Sequence, residues 1–174
     1  MFLILTTVAI LLTPGYDMAG QFLSELGVGG LAAHIFNLGL IITGISFTLF
    51  FLSVRAPLDE TKVGLIGRIL GVDSSVALIG VGAFPLTQPM LHIIFAFAFF
   101  ALTGASILLL SIYLFLKLQF KILSLVGLGV VIIDIIFGFA CCGQLGPIMQ
   151  KITVLGFGAW IMILNLAILR KQDT

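Results

Sequence analysis

The chain has very little charge and very little cysteine. Only 9% of its 174 residues are Asp, Glu, Lys or Arg, whereas 61% are hydrophobic. A soluble core cannot absorb so large an apolar fraction, so the composition predicts a protein whose solvent is lipid. The two cysteines, Cys141 and Cys142, are adjacent, which argues against a disulfide framework. The net charge of +1, without a basic patch, argues against nucleic acid as a partner.

Long apolar runs make up nearly the whole sequence. A helix needs about 20 apolar residues to cross a bilayer, and the runs lie near 1–13, 31–53, 63–84, 91–115, 120–142 and 149–169. Only helices satisfy every backbone polar group in such segments. We therefore predict an all-α polytopic membrane protein, with one domain over 1–174 that forms a compact bundle of six transmembrane helices.

The first run is short for a membrane crossing. Thirteen residues give roughly 20 Å of helix, against a hydrocarbon core of about 30 Å. Three explanations compete: a start codon placed too late, a processed amino terminus, or a short helix that tilts or thins the bilayer. A secretory signal peptide fits less well, because no positively charged segment precedes the apolar residues.

The distribution of basic residues predicts the orientation. Lys151 is on one side of the predicted membrane, and the other seven of the eight basic residues are on the opposite side. Those seven are Arg55, Lys62, Arg68, Lys117, Lys121, Arg170 and Lys171. The positive-inside rule then predicts a multi-pass plasma-membrane protein with both termini in the cytoplasm. On this view Arg68 is mainly an inner-leaflet anchor.

Two acids, Asp73 and Asp134, fall inside the predicted spans. An ionisable side chain at this depth costs about 2.5–3.5 kcal/mol on insertion scales, so we expect both to face the bundle interior. They would join helices through hydrogen bonds, relay protons or cations, or face a water-filled pocket. The Gly67–Gly71 pair is a GxxxG pattern, which favours close helix packing within the monomer over a dimer seam.

Two histidines lie at comparable depths. His34 opens the second span and His92 opens the fourth. Such a pair could ligate a b-type haem or, with Glu25 or Asp17, a zinc ion. Neither histidine belongs to a recognised metal-binding spacing, so we favour hydrogen-bonded histidines at the membrane interface and predict no cofactor.

Two motifs carry a resemblance to a known family. The first is Tyr16-Asp17, Ser24-Glu25-Leu26-Gly27, then Asn37 and Gly39, and the second is Gly80-Val81-Gly82-Ala83-Phe84-Pro85 followed by His92. Over essentially the whole chain, the sequence resembles the six-helix archaeal and bacterial membrane proteins grouped as domain of unknown function 998. The resemblance implies a compact six-helix bundle and no established activity. His34, Asp73 and the cysteine pair lie outside the family pattern, and the short first run departs from it.

The matching positions predict a polar cluster beneath the outer surface. Its members are Asp17, Ser24, Glu25, Asn37 and His92. The cluster would act as a hydrogen-bonded clamp on the first outer loop, as a ligand pocket, or as an interface with another subunit. A carboxylate, an amide and an imidazole are the groups that such a site would combine.

Several functions are compatible with these residues. We favour a non-enzymatic binding protein or an accessory subunit, whose partners are the bilayer and other membrane subunits or a second copy. One alternative is a membrane-embedded enzyme acting on a lipid-like substrate, with Glu25 and His92 as acid–base or metal-site residues. A further alternative is a b-type haem protein or a small transporter that uses Asp73 and Asp134.

Overall fold

The computed structural model describes residues 1–54, 58–116 and 120–172, with the side chains of 169–172 excluded. These described residues contain six long or medium α-helices: α1 Phe2–Leu11, α2 Gly30–Ser53, α3 Lys62–Ala83, α4 Pro89–Leu116, α5 Lys121–Ala140 and α6 Gly146–Gln172. A 3-10 helix, Leu23–Gly27, precedes α2. Over the described residues no strand occurs, and the predicted all-α fold is confirmed. Four of the basic residues behind the predicted orientation lie outside the described part: Arg55, Lys117 and the side chains of Arg170 and Lys171.

The helices from α2 to α6 are long and apolar enough to cross a membrane. Helix α1 has 10 residues, roughly 15 Å, and falls short of that length. Helices adjacent in sequence pack against one another, and α3 has its most extensive contacts with α2 and α4. From α2 onward, the short connections make neighbouring helices antiparallel.

The bundle therefore has two distinct ends. The polar-loop end carries the segments 12–29, 84–88 and 141–145. The basic end carries the connections before α3 and before α5, with Lys62 and Lys121 at the first positions of these helices.

Glycines bring α3 close to both of its neighbours. A Cβ added at Gly67 would lie 2.9 Å from Cγ of Leu110 on α4, and one added at Gly71 would lie 2.6 Å from the Phe51 ring on α2. These helix surfaces approach closely because no side chain intervenes. The GxxxG pattern thus packs inside the chain, which confirms that prediction.

An ion pair occupies the basic end. Arg68 is only 6% exposed, and its Nε and Nη2 donate to Oδ1 and Oδ2 of Asp59 at 2.6 and 2.9 Å. Thr61 caps α3 beside it, since its hydroxyl accepts a hydrogen bond from the Gly64 backbone at 3.1 Å. The prediction of Arg68 as a membrane anchor is wrong, because its guanidinium group is bound within the fold by a carboxylate nine residues earlier.

Candidate functional site at the polar-loop end

The segment before the 3-10 helix is folded by side chain to backbone hydrogen bonds. Asp17 Oδ1 accepts from the Ala19 N–H at 2.8 Å, and the Asp17 N–H donates to Gln21 Oε1 at 2.8 Å. The N–H groups of Ala19 and Gly20 lower the pKa of the exposed Asp17 carboxyl. Asp17 therefore shapes its own loop.

Glu25 stabilises the start of the 3-10 helix. Its Oε1 accepts from the Phe22 N–H at 2.7 Å, and its Oε2 accepts from Gln21 Nε2 at 3.0 Å. Burial raises the pKa of the Tyr16 hydroxyl to about 12, with smaller contributions from the charges of Glu25 and Asp17. Ser24 lies half-buried on the same 3-10 helix.

Helix α6 holds this segment against the bundle. Lys151 Nζ donates to the backbone oxygens of Gln21 at 2.5 Å and Pro147 at 3.1 Å, and Gln150 Oε1 accepts from the Leu23 N–H at 2.8 Å. Lys151 was predicted to lie near the outer loops without a role, and Gln150 was not predicted. The isolation of Lys151 from the other basic residues was the available signal, since a lone cation among acids and carbonyls indicates a local partner.

Asn37 and His92 make contacts of their own. Asn37 Nδ2 donates to the Gly27 carbonyl at 3.2 Å, and a Cβ at Gly27 would lie 2.5 Å from Asn37 Oδ1. His92 is 5% exposed, and its Nδ1 lies 2.9 Å from the carbonyl oxygen of Phe84. Because a carbonyl only accepts, this contact requires the proton on Nδ1.

The predicted polar cluster is therefore divided into separate sets. Glu25 binds the 3-10 helix, Asn37 binds its last residue, and His92 binds the end of α3. None of the hydrogen bonds among the described residues joins Glu25 to His92. Nor does the described part contain a group of three or more His, Cys, Asp or Glu side chains able to hold a metal ion.

The two intramembrane acids differ in position. Asp134 is half-buried on α5, where a Cβ added to Gly104 of α4 would overlap its Oδ2. Asp73 is exposed on the outward face of α3, so the expectation that it faces the interior is wrong. The reason is helical rotation: Asp73 follows Gly71 by two residues, about 200° around the axis, and Gly71 faces the bundle.

An open groove lies beside the Asn37 contact. It has a volume of about 520 Å³ and runs between α2 and the connection from α3 to α4. His34, which is exposed, lines it together with Asn37. The full lining is Gly27, Val28, Gly29, Gly30, Ala33, His34, Asn37, Leu38, Ile41, Gly82, Ala83, Pro85 and Thr87.

The groove is largely apolar, and its three polar side chains, His34, Asn37 and Thr87, lie nearer the loops than Ile41 does. His34 lies one turn into α2 and Ile41 about 10 Å deeper. Gly30, at the start of α2, has φ of 68°, a left-handed conformation that favours glycine. Gly29, the N-cap, has no side chain to accept from the first N–H groups of α2, and Gly29 and Gly30 line the groove.

Comparison with known proteins gives one family. A family model described as a protein of unknown function (DUF998) matches residues 1–167. Neither a curated protein nor a solved structure matches.

Proposed function

The chain belongs to the DUF998 family, and from that premise we propose that it is a non-enzymatic, multi-pass plasma-membrane protein that binds a lipid-like amphiphile. The observation that carries the proposal is the groove, whose largely apolar wall has its polar side chains toward the loop end. An amphiphile would place its head near His34 and Asn37 and its chain along Leu38 and Ile41. Pockets that bind small molecules combine a largely apolar wall with a few polar groups in this way.

The lining also favours a compact anionic head. Among the described residues, those lining the groove include no Asp, Glu, Lys or Arg, so an anion would meet no opposing carboxylate. The uncapped N–H groups of α2 and the positive end of its dipole would attract a phosphate. A phospholipid therefore fits the groove better than a cationic amphiphile.

The proposed orientation places the polar-loop end, and with it the groove, outside the cell. Lys62, Lys121 and Arg68 lie at the basic end, which would face the cytoplasm with both termini. The lipid would then come from the outer leaflet. Glu25 and His92 support binding better than catalysis, because each is held in a contact within a different part of the fold.

Lipid retention tests the proposal. Purified protein in detergent is incubated with dioleoyl phosphatidylglycerol, or with diacylglycerol of the same chains, and bound lipid is counted by native mass spectrometry. Ala83→Phe fills the groove, and Ala101→Phe is the matched control at an exposed alanine of α4. We expect phosphatidylglycerol to be retained over diacylglycerol and Ala83→Phe to reduce its binding about tenfold. Equal retention by the two variants would contradict the groove as the site.

A further inference from the structure

The outward face of α3 is an apolar stripe interrupted by one acid. Ile66, Ile69 and Val76 are 49%, 45% and 51% exposed, and Asp73 is exposed between them. Helix α3 has the length and hydropathy of a membrane span, and Asp73 lies near its middle. A carboxyl group facing hydrocarbon at this depth is strongly unfavourable, since intramembrane acids face protein or water. A protein partner on this face would remove that cost.

The spacing of the stripe matches a helix–helix seam. Ile66, Ile69, Asp73 and Val76 are separated by three, four and three residues, the a and d positions of a heptad. Gly64, Gly71 and Leu78, at the opposite f position, are buried within the bundle. The exposed stripe thus presents a straight seam to one neighbouring helix.

The chain itself limits what can oppose Asp73. The described lysines and Arg68 lie in the terminal turns of their helices or are already paired, away from the midpoint of α3. In a membrane, copies of one chain share an orientation, so two α3 helices meet in parallel and residues oppose themselves across a two-fold axis. Asp73 would then face Asp73, and two carboxyl groups can share one proton through a hydrogen bond.

From these observations we propose that α3 forms the interface of a homodimer, with the two Asp73 side chains hydrogen-bonded across its axis. A single polar residue at an a position fixes the register and the number of helices in a coiled coil. Asp73 would have the same effect here, because hydrogen bonds and close packing, in place of the hydrophobic effect, drive helix association in lipid. The proposal goes beyond the lipid-binding function and does not depend on the groove.

Cysteine cross-linking tests the seam. In a Cys141→Ser/Cys142→Ser background, single cysteines replace Ile69 or Val76, and Ile45→Cys on α2 is the control, since Ile45 is 47% exposed. Gly44 beside it packs against the backbone of Ser75, so the control lies at a similar depth to Val76. In proteoliposomes rich in lipid, oxidation should cross-link each seam variant at least about tenfold faster than Ile45→Cys. Equal rates for the control and both seam variants would overturn the proposal.

Substitution of Asp73 gives an independent measurement. Single-molecule photobleaching of labelled protein in liposomes counts the subunits of each complex. Asp73→Asn keeps a self-complementary hydrogen-bonding group and should remain dimeric, whereas Asp73→Val should weaken the dimer about tenfold. A dimer unaffected by Asp73→Val would overturn the role of Asp73. Cross-linking of both seam cysteines to a different polypeptide in native membranes, without the dimer, would overturn the homodimer and assign the surface to another subunit.

Discussion

Different kinds of interaction stabilise the two ends of the bundle. At the basic end, a bidentate ion pair joins Arg68 to Asp59, and the arginine is almost fully buried. At the polar-loop end, Lys151, Gln150 and Glu25 bind backbone groups of a folded segment. One end thus depends on a charge pair, and the other on several hydrogen bonds distributed along the segment 12–29.

Because of this difference, contacts can be lost singly at the polar-loop end but not at the basic end. A buried ion pair cannot be weakened gradually, because loss of one partner leaves the other charge buried and unpaired. Individual bonds between side chains and backbone can be lost one at a time, at about 0.5–1.5 kcal/mol for a neutral group such as Gln150 and about 1.5–3 kcal/mol for a charged group such as Lys151 or Glu25. The groove lies beside the second kind of end, and residues 27–30 form part of its lining.

The largest expected effect is at the ion pair. Asp59→Asn leaves the buried Arg68 guanidinium without its carboxylate, and should lower the free energy of unfolding by about 3–5 kcal/mol. Asp17→Asn is the control, since Asp17 is exposed and an asparagine oxygen can still accept the hydrogen bond from the Ala19 N–H. The measurement is the unfolding equilibrium in bicelles. A loss no larger than that of the control would remove the contrast between the two ends.

A double variant sharpens the same comparison. Arg68→Met with Asp59→Asn removes both charges, and should recover most of the stability lost in Asp59→Asn alone, because no unpaired charge remains buried. If the double variant were as unstable as the single one, packing around Arg68 and not its charge would hold the basic end.

A smaller and more local effect is expected at Lys151. Lys151→Met removes the donor to Gln21 and Pro147 and should cost about 1.5–3 kcal/mol, the range for hydrogen bonds to charged groups. Hydrogen exchange should rise in residues 14–23 and not in α3. Lys121→Met is the control, because Lys121 is an exposed lysine at the basic end. Faster exchange throughout the bundle would contradict a local role for Lys151.

Sequence patterns predicted the positions of the helices in the chain better than which face of each helix is buried. Continuous apolar runs determine where a helix crosses a bilayer, so α2 to α6 lie close to the predicted runs. Hydropathy gives the depth of a residue but not its rotation about the helix axis, and the position of Asp73 was therefore predicted wrongly. The glycine ridge contained the missing information, since Gly67 and Gly71 must face a neighbouring helix.

The sequence indicated which end of the bundle the candidate site residues occupy, but not which groups they bind. Asp17, Ser24, Glu25, Asn37 and His92 all lie at the polar-loop end or in the first turns beyond it. Their partners are mostly backbone groups, such as the carbonyls of Gly27 and Phe84 and the N–H of Phe22. Any residue supplies these groups, so a sequence carries no signal for them. Arg68 illustrates the same limit, because its partner Asp59 lies in a connection whose path the hydropathy pattern does not determine.

The smallest expected effect is the ionisation of Tyr16, which reports how tightly the polar-loop end is packed. Its pKa is raised from 10.0 to about 12, so the neutral hydroxyl stabilises the fold fully below pH 10 and this contribution declines as pH rises from 10 to 12. In a Tyr113→Phe background, absorbance at the tyrosinate band, recorded directly after a pH jump, gives the midpoint for Tyr16 alone. Glu25→Gln should lower the midpoint, and Asp17→Asn should lower it less, but burial should keep both above 10. A midpoint near 10 in the unmodified loop would mean that this segment is open to water, and that the two ends of the bundle differ more in order than in the chemistry of their contacts.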